Sequence, residues 1–200
     1  MLYIITVAVS AVLITLANFF AGRTYTAGAL GKYALLTLLC IAAAFVIDGF
    51  FAFIIRRLPE KWFAPEARLF TVGKRERNFY RRTRIDKWKK YVPEWGCFTG
   101  FHKDKMREPD NSEYIGRFLL ESNYGVAGHV AGALFGFGIM LIPIVPTLWV
   151  ALPVAVVNCL LSLLPTAILR SNTPALRGLY KRARAKEETK IQNEKRKVIK

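Results

Sequence analysis

The sequence is poor in acidic residues and in histidine. Its 200 residues contain 14 Asp and Glu against 30 Lys and Arg, with two His. It has no GxGxxG, P-loop, HExxH or GxSxG pattern, which argues against the nucleotide-binding, zinc-protease and α/β-hydrolase classes that these patterns mark. The His-x4-Asp pattern of glycerophospholipid acyltransferases is also missing, because Arg107 follows His102 and Leu134 follows His129 at the required distance.

Cysteine is scarce as well, and its three copies form no pattern. Cys40 and Cys159 lie in apolar runs and Cys97 lies in a basic stretch, with no CxxC pair and no His at zinc spacing. We therefore expect free thiols, no disulfide framework, no metal site and no bound cofactor.

Long apolar runs and a large positive charge are both present. The chain is 53% hydrophobic with a net charge of +16, and the two properties are separated along it. Four runs can cross a bilayer as helices of about 20 residues: Leu2–Ala21, 33–55, a run ending at Pro143 and Pro146, and 148–169. A cleaved signal peptide is the competing interpretation of the first run, although no positive segment precedes it.

The predicted fold is an all-α integral membrane protein with four transmembrane helices. We divide the chain into a transmembrane hairpin (1–57), a basic, aromatic-rich interfacial segment (58–118), a second hairpin (119–170) and a basic tail (171–200). We expect residues 74–90 to be helical and the fourth span to stop at Arg170. Asp110, Asn111 and Ser112 are alternative caps for the third long helix.

The distribution of cations predicts the topology. Residues 56–117 hold 17 Lys and Arg and residues 170–200 hold 11, whereas the connection between the first two spans holds Arg23 and Lys32. The positive-inside rule then places the interfacial segment, the tail and both termini in the cytoplasm, as in a multi-pass protein of a bacterial inner membrane.

The interfacial segment alternates cations with aromatic rings, a composition typical of a membrane surface. Nucleic acid is another possible partner for the positive charge. Four spans make anionic lipid headgroups the simpler partner and argue against nucleic acid, and the phosphates of a CoA ester would fit the same surface.

Three ionisable residues in or near the spans are candidates for function. Asp48 lies inside the second span, where a charge is costly, or pairs with Arg56, Arg57 or water near the surface. Glu121 and His129 are about 80° and 12 Å apart on one helix, so both can line one polar pocket. His129 could accept a proton from an alcohol. Alternatively, His129 bonds across helices and Glu121 caps the helix or pairs with Arg117.

Three blocks carry a resemblance to a known family. They are RIDKWKKYVPEWGCFTGFHKDKM (84–106), FLLESNYGVAGH (118–129) and RSNTPAL (170–176). Their order and spacing over about half of the chain are similar to the glycosyl-4,4′-diaponeurosporenoate acyltransferase family of staphyloxanthin biosynthesis. The sequence departs from the family at Tyr124, Gly125 and Val126, where Arg-Ala-Glu is usual, and at Val130, Ser162 and Leu164.

The resemblance implies transfer of a fatty acyl group, from acyl-CoA or another thioester, to a sugar hydroxyl of a lipid-linked glycoside. It implies that His129 is the general base and Glu121 its orienting or polarising partner. It also implies that four residues bind headgroup, sugar or CoA phosphate: Trp88, Lys89, Arg170 and Asn172. The alternative function is non-enzymatic, with the basic aromatic segment binding anionic lipid or a partner enzyme.

Overall fold

The computed structural model describes residues 2–23, 25–92, 108 and 110–198. Its helices are α1 (Leu2–Ala21), α2 (Ala27–Arg57), α3 (Lys74–Arg82), α4 (Ile85–Trp88), α5 (Ser112–Phe135) and α6 (Leu152–Val198). Short 3-10 turns lie at Glu60–Trp62, Arg68–Phe70, Lys89–Tyr91 and Gly136–Leu141, and a π-helical turn at Thr147–Ala151. The described residues form no strand, so the predicted all-α class is confirmed.

Four helical segments are long and apolar enough to cross a membrane: Tyr3–Ala21, Ala27–Arg57, Ser112–Leu141 and Thr147–Lys197. They correspond to the four predicted spans. The residues between α2 and α5, hereafter the basic connector (58–111), join the two hairpins, and we call the end of the bundle that carries it the basic end.

The fourth helix continues beyond Arg170, where we expect the membrane span to end. α6 continues to Val198, with Pro165 and Pro174 inside it. Beyond Arg170 it still has an apolar face, on which Leu176, Leu179, Tyr180 and Ala183 pack against Ile115 and Leu119 near the start of α5. Tertiary packing of this face extends the helix past its membrane-crossing part.

α5 and α6 pack antiparallel in a constant register. A Cβ built on each of three glycines, two in α5 and one at its C-cap, would meet a side chain of α6: Gly116 meets Tyr180, Gly125 meets Leu169 and Gly136 meets Asn158. Interpolation along this register places His129 level with Thr166, and Ser122 level with Thr173. Small residues therefore let the two backbones approach closely, as in other membrane helix pairs.

The basic connector is folded into short pieces. The helix expected over residues 74–90 is interrupted, because α3 ends at Arg82 and Arg84 adopts a left-handed conformation with φ of 51°. α4 follows directly. Among the three alternative caps for α5, Asn111 is the one observed, since its side chain accepts a hydrogen bond from the Tyr114 backbone N–H.

Side chains from α5 and α6 attach the connector to the bundle. The buried Asn123 amide donates to the Phe63 carbonyl oxygen at 2.8 Å, and the Tyr124 ring stacks on Phe63 at 4.2 Å between centroids. Arg177 donates to the Ala67 carbonyl oxygen at 2.8 Å and to the Thr71 hydroxyl at 2.7 Å. The part of the connector that contains Phe63, Ala67 and Thr71 therefore belongs to the folded core at the basic end.

Candidate active site

His129 lies on the α5 face that packs toward α6. It is half-buried, and it is seven residues before Gly136, a spacing that puts both positions on one helical stripe. Gly136 meets the Asn158 side chain of α6, and Thr166, level with His129, is 7% exposed. His129 therefore lies on the stripe of α5 that faces α6, about two helical turns deeper than Glu121.

Polar residues recur along this seam. On α6 the buried polar positions are Asn158, Ser162, Thr166 and Thr173, and on α5 they include Ser122. The Ser122 hydroxyl is buried and has no hydrogen-bond partner among the described residues. A seam of hydroxyls and amides beside an imidazole can orient a polar group that enters from the basic end.

Glu121 pairs with α2 instead of with its own helix. Its carboxylate accepts a hydrogen bond from Arg56 at 2.9 Å, and the Arg56 guanidinium lies over the Tyr124 ring at 5.8 Å. The alternative pairing with Arg117 is not the one observed. Since Glu121 and His129 are about 12 Å apart along the axis, any action of the carboxylate on the imidazole runs through an intervening group.

Arg170 is held by a connector acid, Glu76, with two hydrogen bonds of 2.5 and 2.8 Å. Tyr80 donates its hydroxyl to the same carboxylate at 2.5 Å. Chiefly because Arg170 donates to it, the pKa of Glu76 lies below its ordinary value. Burial, together with the Glu76 carboxylate, raises the pKa of Tyr80 to about 12, so its phenol stays protonated at neutral pH.

The other sequence-predicted binding residues lie on two sides of the basic end. Trp88 is half-buried and donates its indole N–H to the Thr83 carbonyl oxygen at 3.0 Å. Lys89 forms an ion pair with Asp86 at 3.1 Å, and Asn172 is half-buried on α6. The structure does not place these residues beside His129; they lie nearer the surface.

A cleft of about 300 Å³ separates α3 and α4 from α6 at this level. Arg77, Arg81, Arg84 and Lys87 line it, and Ser171 of α6 lies on the opposite wall. Sequence reasoning identified the connector as basic but did not single out Arg77, Arg84 or Lys87. The i, i+4 spacing of Arg77 and Arg81 on α3 was the available signal.

Inside the membrane, Asp48 contacts α6. The Asn158 side-chain amide donates to the Asp48 carboxylate at 3.3 Å and to the Gly132 carbonyl oxygen at 3.4 Å. The observed partner of Asp48 is therefore Asn158 and not Arg56 or Arg57, which were among the predicted partners. The cluster joins α2, α5 and α6 and satisfies a polar group that would otherwise face hydrocarbon.

The structure describes only some of the residues that bear on the predictions of free thiols and of no metal site. Cys40 and Cys159 are free, and Cys97 and His102 lie outside the described residues. Within the described residues, no group of His, Cys, Asp and Glu could hold a metal ion.

Four apolar helices, a basic connector folded against them and a histidine in a polar inter-helix seam define a multi-pass membrane protein with a candidate site below its basic end. The family model for glycosyl-4,4′-diaponeurosporenoate acyltransferase matches residues 59–182. The chain therefore belongs to this family, and the match covers the connector, α5 and the first two thirds of α6. No curated protein and no solved structure gives a significant match to the chain.

Proposed function

We propose that the protein transfers a fatty acyl group from an acyl thioester to a sugar hydroxyl of a glycolipid or carotenoid glycoside. The observation that carries this proposal is the family match over residues 59–182. The matched region includes the seam that holds His129 and the connector that forms the cationic cleft. Four apolar helical segments with one basic end suit an acceptor that has an apolar tail and a polar headgroup.

We place the reaction at the cytoplasmic face of a bacterial inner membrane. The connector and the end of α6 hold most of the 30 cations, and both lie at the same end of the bundle. The positive-inside rule directs that end, and both termini, toward the cytoplasm. Acyl thioesters of cytoplasmic metabolism reach this face without crossing the membrane.

The proposed chemistry needs one base and one leaving group. A nitrogen of the His129 imidazole takes the proton of the sugar hydroxyl while the oxygen attacks the thioester carbonyl carbon. The C–O bond forms, the C–S bond breaks, and the departing thiolate receives the proton from His129. The products are a sugar ester and a free thiol, and the imidazole returns neutral.

Glu121 and Arg56 support this step indirectly in our proposal. Their ion pair fixes α2 against α5 where an acceptor headgroup would enter. Where the family usually has Arg-Ala-Glu, this chain uses its residues for packing: Tyr124 stacks on Phe63, Gly125 admits Leu169, and Val126 is buried. Proton transfer in this chain therefore depends on His129 without a neighbouring carboxylate from that motif.

The direct test is replacement of His129 by Ala, followed by an assay of acyl transfer in membranes with a thioester donor and a glycolipid acceptor. We expect loss of at least about 100-fold in turnover, as for removal of a general base. Val130→Ala is the matched control, because Val130 is the next residue on α5 and is exposed. Unchanged turnover in the His129 variant would remove the imidazole from the mechanism.

Lipid profiling of a deletion strain tests the reaction in the cell. The proposal expects an acylated glycolipid to disappear and its unacylated precursor to accumulate. An unchanged lipid profile, with anionic lipids no longer retained around a partner enzyme, would favour the non-enzymatic alternative. Profiling also identifies the acceptor and the acyl chain, because the missing ester and the accumulated precursor differ by that chain alone.

A further inference from the structure

We propose that the cleft between α3, α4 and α6 binds the phosphate groups of the acyl donor, a nucleotide-bearing thioester of the coenzyme A class. This inference rests on the proposed function and adds to it a donor subsite separate from His129. Four cations, a strained turn, and the position and volume of the cleft support it.

The first observation is that the cleft cations have no partner in the part of the chain that the structure describes. Within the described residues, Arg77, Arg81, Arg84 and Lys87 have no side-chain hydrogen bond or ion pair. Other basic side chains nearby are engaged: Arg56 with Glu121, Lys89 with Asp86, Arg170 with Glu76, and Arg184 with Glu66. Four convergent cations without acids repel one another, so an anion in the cleft would relieve that repulsion.

Asp86 does not neutralise the positive charge of the cleft. It is the acid that lines the cleft, and its carboxylate already pairs with Lys89 at 3.1 Å. The cleft therefore retains a net positive charge. Arginine side chains bind phosphate oxygens through two parallel N–H donors, which favours phosphate as the ligand.

The second observation is the backbone of Arg84. It adopts φ 51° and ψ 45°, a left-handed conformation that is unfavourable for a residue with a Cβ. Glycine or asparagine would adopt this turn more easily, yet the position holds an arginine whose side chain lines the cleft. Such a conformation is typical of functional turns, where a side chain must be directed to one place.

The third observation is the position of the cleft relative to the seam. Tyr80 lines the cleft and bonds Glu76, which holds Arg170, so this network separates the cleft from α5. Ser171, on the α6 wall, is about 7.5 Å further toward the surface than Thr166. A donor held by its phosphates would therefore lie at the surface while its acyl arm reaches the bilayer near His129.

The volume is also suitable. A space of about 300 Å³ is at the lower end of small-molecule sites and accepts a diphosphate with part of a nucleotide. Membrane phospholipids carry the same phosphate chemistry, so the experiment must separate a soluble donor from a lipid headgroup.

The experiment uses the full chain in nanodiscs of zwitterionic lipid, with coenzyme A itself as a non-reacting probe. Binding is measured by calorimetry for the wild type and for an Arg81→Gln/Arg84→Asn variant, in which asparagine tolerates the left-handed turn. We expect at least about a tenfold weaker affinity in the variant, and competition by inorganic pyrophosphate in the wild type.

Two matched controls come from the chain itself. Arg75→Gln removes an exposed α3 cation that does not line the cleft, and Arg23→Asn changes the other residue with a left-handed φ of 51°. Both should leave coenzyme A affinity within about twofold of the wild type. An equal loss in the controls would mean that net charge alone attracts the probe, and would overturn the site.

Four further outcomes decide the inference. In the transfer assay, a higher KM for the donor at little-changed kcat in the cleft variant supports it. Unchanged coenzyme A affinity, with loss of co-purified anionic lipid measured by mass spectrometry, assigns the cleft to lipid and overturns it. Cleft-dependent coenzyme A binding without any acyl transfer by the wild type would retain the site and reject the proposed function. Acyl transfer by the wild type, with an unchanged donor KM in the cleft variant, would retain the proposed function and reject the site.

Discussion

The two helical hairpins are held in place by different means. In an apolar stretch of 18 residues within α1 and within α2, 6% and 17% of the residues are buried. The corresponding stretches within Ser112–Leu141 and Thr147–Lys197 have 33% and 28% of their residues buried. The polar contacts of α1 with other helical segments include the Asn18 amide donating to the Trp149 carbonyl oxygen at 2.7 Å. α5 and α6 share close glycine contacts, a polar seam and the connector.

This difference indicates which part of the molecule performs the function. Apolar burial gives little driving force between helices in lipid, so close packing and polar contacts decide which helices form a fixed unit. The fixed unit consists of α5, α6, the described part of the connector and the end of α2 that adjoins it. The family match begins at residue 59 and so leaves out α1 and α2. We infer that the first hairpin serves mainly as an anchor.

The largest expected effect on stability comes from the Arg170–Glu76 contact. Arg170→Gln should lower the free energy of unfolding by about 2–3 kcal/mol, because it leaves a carboxylate, 27% exposed, without its bidentate donor. Denaturation in detergent micelles measures this. Arg56→Gln is the control: the Arg56 side chain is 62% exposed, so losing its pair should cost less than about 1 kcal/mol. Equal losses would show that the exposed Arg56–Glu121 pair contributes as much as the Arg170–Glu76 pair.

The glycines of α5 offer the next test. In Gly136→Ala the new Cβ would lie 2.5 Å from the Asn158 amide nitrogen, and the helices must shift, at a cost of about 1–3 kcal/mol. A Cβ on Gly128 meets nothing within 4 Å, so Gly128→Ala should be neutral or stabilising by up to about 1 kcal/mol. Thermal denaturation compares the two variants. If both behave alike, the close α5–α6 register is incorrect.

Acidification provides a milder perturbation of the same unit. The folded pKa of Glu76 is lowered, so its ionised form contributes stability that is complete above its unfolded pKa of about 4.3. That contribution decreases as the pH falls through the lower, folded pKa. The stability difference between the wild type and Glu76→Gln should therefore be constant near neutrality and shrink below about pH 4. A difference that grows on acidification would contradict the assigned shift.

The smallest effect is expected in the first hairpin. The Thr15 hydroxyl donates to the Thr37 hydroxyl at 3.4 Å, a long hydrogen bond. Thr15→Val should change the free energy of unfolding by less than about 0.6 kcal/mol, the average for such bonds between membrane helices. Denaturation under the same conditions as for Arg170→Gln gives the comparison. A cost similar to that of Arg170→Gln would mean that polar contacts hold the first hairpin as firmly as they hold the fixed unit.

Local features of the chain were predictable where a single segment decides them. The bounds of α1 agree with the apolar run Leu2–Ala21, and Asn111 was among three candidate caps of α5. The interruption at Arg84 was not predictable, because an arginine in a left-handed turn contradicts the local preference for glycine or asparagine.

The partners of the charged residues were beyond sequence reasoning for a different reason. Arg56 and Glu121 are 65 residues apart and Glu76 and Arg170 are 94 apart, and the many cations of the chain offer each acid several partners. Local spacing suggested Arg117 for Glu121. The antiparallel register of α5 and α6, which places Thr166 level with His129, depends on glycine contacts that no periodicity specifies.

Composition and hydropathy alone were enough to establish a four-span helical membrane protein with a basic segment and to identify Glu121 and His129 as candidates. They suffice because bilayer thickness and backbone hydrogen bonding leave a long apolar run little choice but a helix. Only the tertiary structure decided that Glu121 pairs with α2, that α6 runs on to hold the connector, and that four cations without an ion pair among the described residues share a cleft. Those outcomes depend on which helix faces lie against each other, and such contacts join residues far apart in the chain.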